Sequence, residues 1–226
     1  MSSGMHSETQ QESPVANGLG VGRFYADVAE GLHAIAQPLT ILRSSVASLA
    51  APGLTPVHLR RYLHISSQQV ERACDLFDCL QDLVIANQVE AARAPFELGE
   101  LLEAIAEDRK TRLEASGVKL KVVATGERQW MVGDFARTRQ ALLAAVRIAI
   151  AVSSPGDSVE LLATSCNGLV EISVSNRLAH RRTLNSSEHL SLALAEANIR
   201  SQQGEFRSAE DPFRMSFALP LQDLDP

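Results

Sequence analysis

Large apolar residues recur along the first third of the chain at steps of three and four. Phe24, Val28, Leu32, Ile35, Leu39, Leu42, Val46 and Leu49 form one series, and Leu59, Leu63, Ser66, Val70, Ala73, Phe77, Leu80 and Val84 form a second. Steps of this kind place each series on one stripe of a long helix, in the manner of a heptad seam. "APGLTP" separates the two, with Thr55-Pro56 suited to cap the second helix and occupy its first turn. Two antiparallel helices with one stripe each cannot enclose a core. Pairing with a second copy into a four-helix bundle would bury both stripes, so a homodimer is expected.

Beyond "AARAPFEL", where Pro95 marks a boundary, helical and strand-like patterns alternate. "FELGELLEAIAEDRKTRLEAS" reads as a helix closed by Gly117, and "VKLKVVA" as a strand. "DFARTRQALLAAVRIAIAV" is a strongly apolar helix. "SVELLATS" and "LVEISVSN" flank Asn167-Gly168, a favoured two-residue hairpin turn. "SSEHLSLALAEANIRSQQ" reads as a capped helix with Gly204 past its end, and "FRMSFALPL" as a closing strand. Helices on one face of a mixed sheet, an α+β sandwich, are the architecture expected. The organisation expected is a disordered tail over 1–22, poor in large apolar groups, a helical hairpin over 23–92 and the sandwich over 96–221.

Composition narrows this little. Aromatic residues make up 4% of the 226, so the cores are aliphatic. A formal net charge of −6 gives no basic excess for neutralising phosphates, which argues against a nucleic-acid binder. Cys74, Cys79 and Cys166 form neither a disulfide framework nor a metal-ligand pattern and read as reduced thiols. No signal peptide is legible, and no apolar run reaches the ~20 residues that cross a bilayer. A cytoplasmic protein without membrane insertion is expected.

"GLHAIAQPLT", residues 31–40, carries the candidate chemistry. His33 falls off the centre of the stripe set by Leu32, Ile35 and Leu39, so its imidazole is expected to face solvent. Pro38 lacks an N–H and crowds the carbonyl of Ala34, which should bend the helix about one turn from His33. On spacing alone, a surface histidine and a helix proline are ordinary features. His58 and His64 lack the four-residue spacing of a shared metal site, and with His6, His180 and His189 they read as surface or structural residues.

His33, Ile35, Gln37, Pro38, Leu39 and Thr40, together with the segments that follow, resemble the core of bacterial two-component sensor histidine kinases. The resemblance spans nearly all of residues 24–221: phosphoacceptor hairpin first, then "GDFARTRQALLAAV" as the start of the ATP-binding domain's asparagine-box helix. "SPGDSVELLATSCNGLVEISVSN" resembles the hairpin before the first glycine box, and "HLSLALAEANIRSQQGEFRS" and "FRMSFALPL" the last helix and strand. It implies a dimeric hairpin, a histidine-kinase-like ATPase sandwich, His33 as phosphoacceptor and response-regulator receiver domains as partners, with a sensor kinase as a further candidate partner. Gln37 matches the position that in the family orients water for regulator dephosphorylation. Arg43, Ser44 and Val46 would contribute to docking, and Arg60 and Arg61 read as solvated charges.

The departures from the family pattern fall on one activity. The asparagine-box positions hold Ala144 and Ile148, which cannot coordinate Mg²⁺. Asn176 replaces the adenine-binding aspartate, Leu178 and His180 replace the glycines after it, and the second glycine box reads His189-Leu190-Ser191-Leu192. Ala34 stands where the family has an acid beside its histidine. Phosphoryl transfer from ATP depends on positioning and metal-assisted charge stabilisation. ATP and Mg²⁺ binding are therefore expected to be lost and no cofactor is expected. The leading expectation is a phosphotransfer protein that takes phosphoryl on His33 from one receiver aspartate and passes it to another. The alternatives are a divergent ATP-dependent kinase and a non-catalytic pseudokinase scaffold.

Overall fold

The computed structural model describes residues 15–125, 129–176, 183–210 and 212–221, with side chains from residue 22 onward. Two long helices, α1 (Val15–Leu49) and α2 (Pro56–Gln88), form the hairpin. Thr55 caps α2 by accepting from the amide of His58, and Pro56 stands in the first turn, where its missing N–H has no cost. α1 begins at Val15, inside the stretch expected to be a disordered tail. Once the packed part of a helix is nucleated, each further residue adds a hydrogen bond at little extra cost.

The second unit opens with β1 (Ala94–Glu97), which pairs antiparallel with β3 (Trp130–Gly133), Phe96 facing Met131. Helix α3 (Leu98–Ser116) starts two residues later than the pattern predicts, because Phe96 and Glu97 belong to this ladder. Gly117 closes α3 at φ 67°, a left-handed cap that suits glycine. Then come β2 (Lys119–Ala124), α4 (Phe135–Ala151), β4 (Ser158–Cys166), β5 (Leu169–Asn176), α5 (Ser186–Arg200), β6 (Glu205–Glu210) and β7 (Phe213–Pro220). β2, β4, β5, β7 and β6 stand in that order, with β2 parallel to β4 and the other pairs antiparallel. Asn167 and Gly168 both take positive φ, as the tight β4–β5 turn requires.

Alternate residues of β4, β5 and β7 point into one core: Val159, Leu161 and Ala163; Val170, Ile172 and Val174; Phe213, Met215, Phe217 and Leu219. α3 and α4 cover this face with Leu101, Ile105, Leu142, Ala145, Val146 and Ala149.

α5 has two apolar sides. Ala195 and Ile199 enter the sheet core, whereas Leu190 and Leu194 join a second cluster with Ala34 of α1 and Leu76, Leu80, Leu83 and Ala86 of α2. The side of α1 that packs within the chain is made of small residues. Ala34, Pro38 and Ser45 are buried on it, and a Cβ on Gly31 would stand 3.0 Å from both Leu190 Cδ1 and Leu80 Cδ1.

Polar contacts reinforce this seam. Asp82 accepts from Gln140 Nε2, Asn198 Nδ2 donates to Gln140 Oε1 at 2.7 Å, and Gln202 Nε2 donates to the Asn198 carbonyl at 2.8 Å. Arg137 donates to the Val89 carbonyl at 3.0 Å and to Ser201 Oγ at 2.7 Å, tying the end of α2 to α5. Arg23 of α1 pairs with Glu196 of α5.

Leu190 is 1% exposed at the centre of this contact. Leu190→Ala should lower stability by about 2–4 kcal/mol in urea unfolding. It should also raise hydrogen exchange in residues 28–38 and 76–86 well before the sheet.

Candidate functional site

His33 lies on α1 and its side chain is exposed. The next residue, Ala34, is 3% exposed against the α5 contact, so the chain turns one side of this pair to solvent and the other inward. Gln37, one turn on, is also exposed, about 40° round from His33. Pro38 is buried on the opposite side, and α1 runs through it unbroken. Thr40 Oγ1 donates to the Ala36 carbonyl at 2.8 Å, Ser44 Oγ to the Thr40 carbonyl at 3.0 Å and Ser48 Oγ to the Ser44 carbonyl at 2.9 Å. These hydroxyls fold back on their own helix. They leave a low, smooth surface below the imidazole.

The stripe through Leu32 and Leu39 is not buried within the chain. Leu32, Leu39 and Val46 of α1 and Leu63, Val70 and Phe77 of α2 are each between 46% and 57% exposed. Two apolar sides exist on α1, and the small-residue side is the one that packs internally. Val46, seven residues after Leu39, belongs to this exposed stripe and not to the His33 face, whereas Ser44 shares the His33 face. Arg43, Arg60, Arg61, His58 and His64 are exposed.

The positions matched to nucleotide boxes are packed or hydrogen-bonded. Ile148 is fully buried in the sheet core, and Ala144 lies beside it at 8% exposure. Asn176 ends β5 fully buried and donates its amide to Ser153 Oγ. His189, Leu190, Ser191 and Leu192 are not a loop but the second turn of α5. That helix is opened by a capping box in which Asn185 accepts from the amides of Ser187 and Glu188 while Glu188 accepts from that of Asn185. Ser191, 1% exposed, donates to the Ser187 carbonyl at 2.8 Å and accepts from Arg147. Leu178, His180 and His6 lie outside the described residues.

A cleft of about 310 Å³ survives beside Ala144 and Ser191. One wall is the side of α2 that carries Asp75, Asp78 and Asp82; the other holds Arg109, Gln140 and Arg147. Arg109 Nη2 donates to the Leu143 carbonyl at 3.1 Å, and burial, then the like charge of Arg147, pull its guanidinium below the ordinary value. Burial also raises the Cys79 thiol, against the opposing pull of Arg147 and a bond to Ser191. The three aspartates were missed in the sequence. Their spacing of three and four along α2, off the apolar stripe, was the available signal. Among the described residues no group of histidine, cysteine and acidic side chains is arranged to hold a metal ion, and no helix is long and apolar enough to cross a membrane.

A helical hairpin carrying an exposed histidine, followed by this sandwich, has the fold of a sensor histidine kinase core: a dimerization and phosphoacceptor hairpin, then an ATPase-type domain. No family model and no curated protein matches the chain. Solved structures do. The Acinetobacter baumannii histidine kinase AdeS is similar at TM-score 0.68 and 17% identity, over 84% of this chain and 98% of that one. Histidine kinase ThkA, solved in complex with the response regulator protein TrrA, is similar at TM-score 0.69 and 17% identity over 91% of this chain and 63% of that one. ShkA, solved with AMPPNP, is similar at TM-score 0.57 and 17% identity, over 91% of this chain and 45% of that one.

A second cleft, between the start of α1, the end of α2 and α5, holds Asp27 beside Arg23 and Glu196. Burial raises the Asp27 carboxyl above its ordinary value; Arg23 opposes this, and Glu196 and Glu30 add to it. The folded chain therefore binds this proton more tightly than the unfolded chain, so the group's contribution falls as pH rises through the window above the ordinary aspartate value. Asp27→Asn should raise Tm at neutral pH by about 1–3 °C. The advantage should shrink as pH drops into that window, as followed by thermal melting.

Proposed function

We propose that this chain is a histidine phosphotransfer protein of a two-component relay, taking a phosphoryl group on His33 from a receiver aspartate and passing it to another receiver. The observation that carries this reading is the contrast between the two halves of the fold. The imidazole of His33 is exposed, while the place of the phosphate-wrapping loop is a capped helix packed against α2.

Residues at the nucleotide positions do not fit Mg-ATP. Ala144 and Ile148 offer no oxygen to a hard cation. The amide of Asn176 is committed to Ser153. A triphosphate in the remaining cleft would meet Asp75, Asp78 and Asp82 on one wall and Arg109 and Arg147 on the other, with no metal ligand at Ala144 or Ile148 to offset the repulsion of the aspartates. Autokinase activity and the use of ATP and Mg²⁺ are lost in this reading, and phosphotransfer stays.

Transfer between side chains asks less of the chain. The lone pair of the neutral imidazole nitrogen of His33 attacks the phosphorus of an aspartyl phosphate. The new N–P bond forms as the O–P bond breaks, and the aspartate leaves as a carboxylate; the return step reverses this. The smooth face below His33 admits a receiver, and the ThkA neighbour, solved with a response regulator, supports that class of partner. Gln37, exposed one turn from His33, would hold water or the phosphoryl group in this reading, which would also serve dephosphorylation. Incubation with a panel of pre-phosphorylated receiver domains should give acid-labile label on wild type and none on His33→Ala. Absence of label from every donor, on a folded protein, contradicts the proposal.

The exposed stripe through Leu32, Leu39, Val46, Leu63, Val70 and Phe77 is the face on which two copies form a four-helix bundle. It lies on the side of α1 away from His33, so dimerization leaves the imidazole free. Sedimentation should give a dimer for wild type and a monomer for the double variant Leu39→Glu/Phe77→Glu; a monomeric wild type would rule the bundle out.

A further inference from the structure

Residues 89–93 join α2 to β1, and a short link between two units ordinarily lets them swing. The C-terminal unit grips this one along its length. The Val89 carbonyl accepts from Arg137 Nη2 at 3.0 Å, the Ala92 amide donates to Asp134 Oδ2 at 3.1 Å, and Arg93 Nη1 donates to Gln203 Oε1 at 3.0 Å. α2 has no basic residue in its own last turn, so the guanidinium that meets its C-terminal end comes from α4. The gripping residues are themselves fixed. Asp134 is the N-cap of α4 and accepts from the Arg137 amide on Oδ1 at 3.1 Å, which leaves Oδ2 for the link. The Asp134 amide donates to Oε1 of the fully buried Gln202 at 2.6 Å, and a Cβ on Gly133 would stand 2.5 Å from that oxygen, so the approach requires a glycine. Arg137 Nη1 also donates to Ser201 Oγ at the end of α5, at 2.7 Å. The side chains of Arg137 and Asp134 are 12% and 16% exposed, so water competes little for these bonds.

We propose that Arg137 and Asp134 form a lock on this junction, which removes the hinge and holds the hairpin and the C-terminal unit as one rigid body. One guanidinium bridges α2, α4 and α5. A swing of the units would break its bonds to Val89 and Ser201 together and leave nearly buried donors unpaired, which is costly. The lock is also well placed to resist rotation. Leu190 holds the start of α5 against the hairpin, and Ser201 meets Arg137 at the other end, about 16 Å further along at 1.5 Å per residue. One attachment would leave a pivot; two so far apart do not. The lock stands apart from the role of His33, but it gives any partner that docks beside that residue a surface of fixed shape.

The test is amide hydrogen exchange on the full chain, with small-angle X-ray scattering beside it. In wild type the Ala92 amide should be protected, and the scattering should fit a single arrangement of the two units. Arg137→Met keeps the aliphatic stem and loses the donors. It should speed exchange across residues 84–93 about tenfold or more, the weight of one hydrogen bond to a charged group, while β4 and β5 stay as protected as before. Its scattering should require a mixture of arrangements. Arg137→Lys, a point charge that cannot reach α2 and α5 at once, should recover only part of the protection. Unchanged exchange across 84–93 in a folded Arg137→Met overturns the lock. Wild type alone also decides: an Ala92 amide exchanging at the rate of an open loop, or scattering that needs several arrangements, overturns it whatever the variants do. Acceptance of label on His33 is read separately, so either account can fail without the other.

Discussion

How closely α5 can lie against the hairpin decides the arrangement of the whole chain. Gly31 and Ala34 keep that side of α1 low, so Leu190 and Leu194 can sink between the two hairpin helices. Each fully buried leucine contributes about 1.5–3 kcal/mol, and the other side of α5 is anchored in the sheet core by Ala195 and Ile199. One helix thereby joins two cores. A larger residue at Gly31 or a loop in place of the first turns of α5 would separate them.

The same packing has an electrostatic consequence. Bringing α2 over α4 and α5 places Asp75, Asp78 and Asp82 across a cleft from Arg109 and Arg147. The chain from Asp82 through Gln140 and Asn198 to Gln202 satisfies the buried amides at the seam. Satisfied networks of this kind favour a single geometry, because any slip leaves a buried polar group unpaired. In a kinase the nucleotide-binding unit must carry ATP to the histidine. In this chain Leu190 and Leu194 of α5 pack on the hairpin, and the small side chains that allow this lie beside His33.

Much of the fold was legible in the sequence, for physical reasons that also explain the misses. Helical periodicity, Thr55-Pro56, Gly117 and the Asn167-Gly168 turn are local signals, and each holds in the structure. β1 and β3 are four residues each and pair across more than thirty positions, so no local pattern announces them. β6 is an edge strand, nearly all exposed, without apolar alternation. Periodicity found the large apolar stripe of α1, expected to pair with a second copy, but not the small-residue side that packs within the chain. It weighs Leu32 and Leu39 above Gly31 and Ala34, whereas close helix contact selects the small ones. At the site, the exposure of His33 and the identities at Ala144, Ile148 and Ser191 could be read directly. That α2 carries three acids to the same cleft as Arg109 and Arg147 is a fact of tertiary register.

The central claim is that the phosphoacceptor persists while the nucleotide site is closed. Calorimetric titration of the full chain with Mg-ATP, followed by a test for acid-labile label on His33, addresses it most directly. The expected result is no saturable heat up to millimolar nucleotide and no label. Saturable binding at micromolar concentration, with label that disappears in His33→Ala, would contradict the account and make the chain a working kinase.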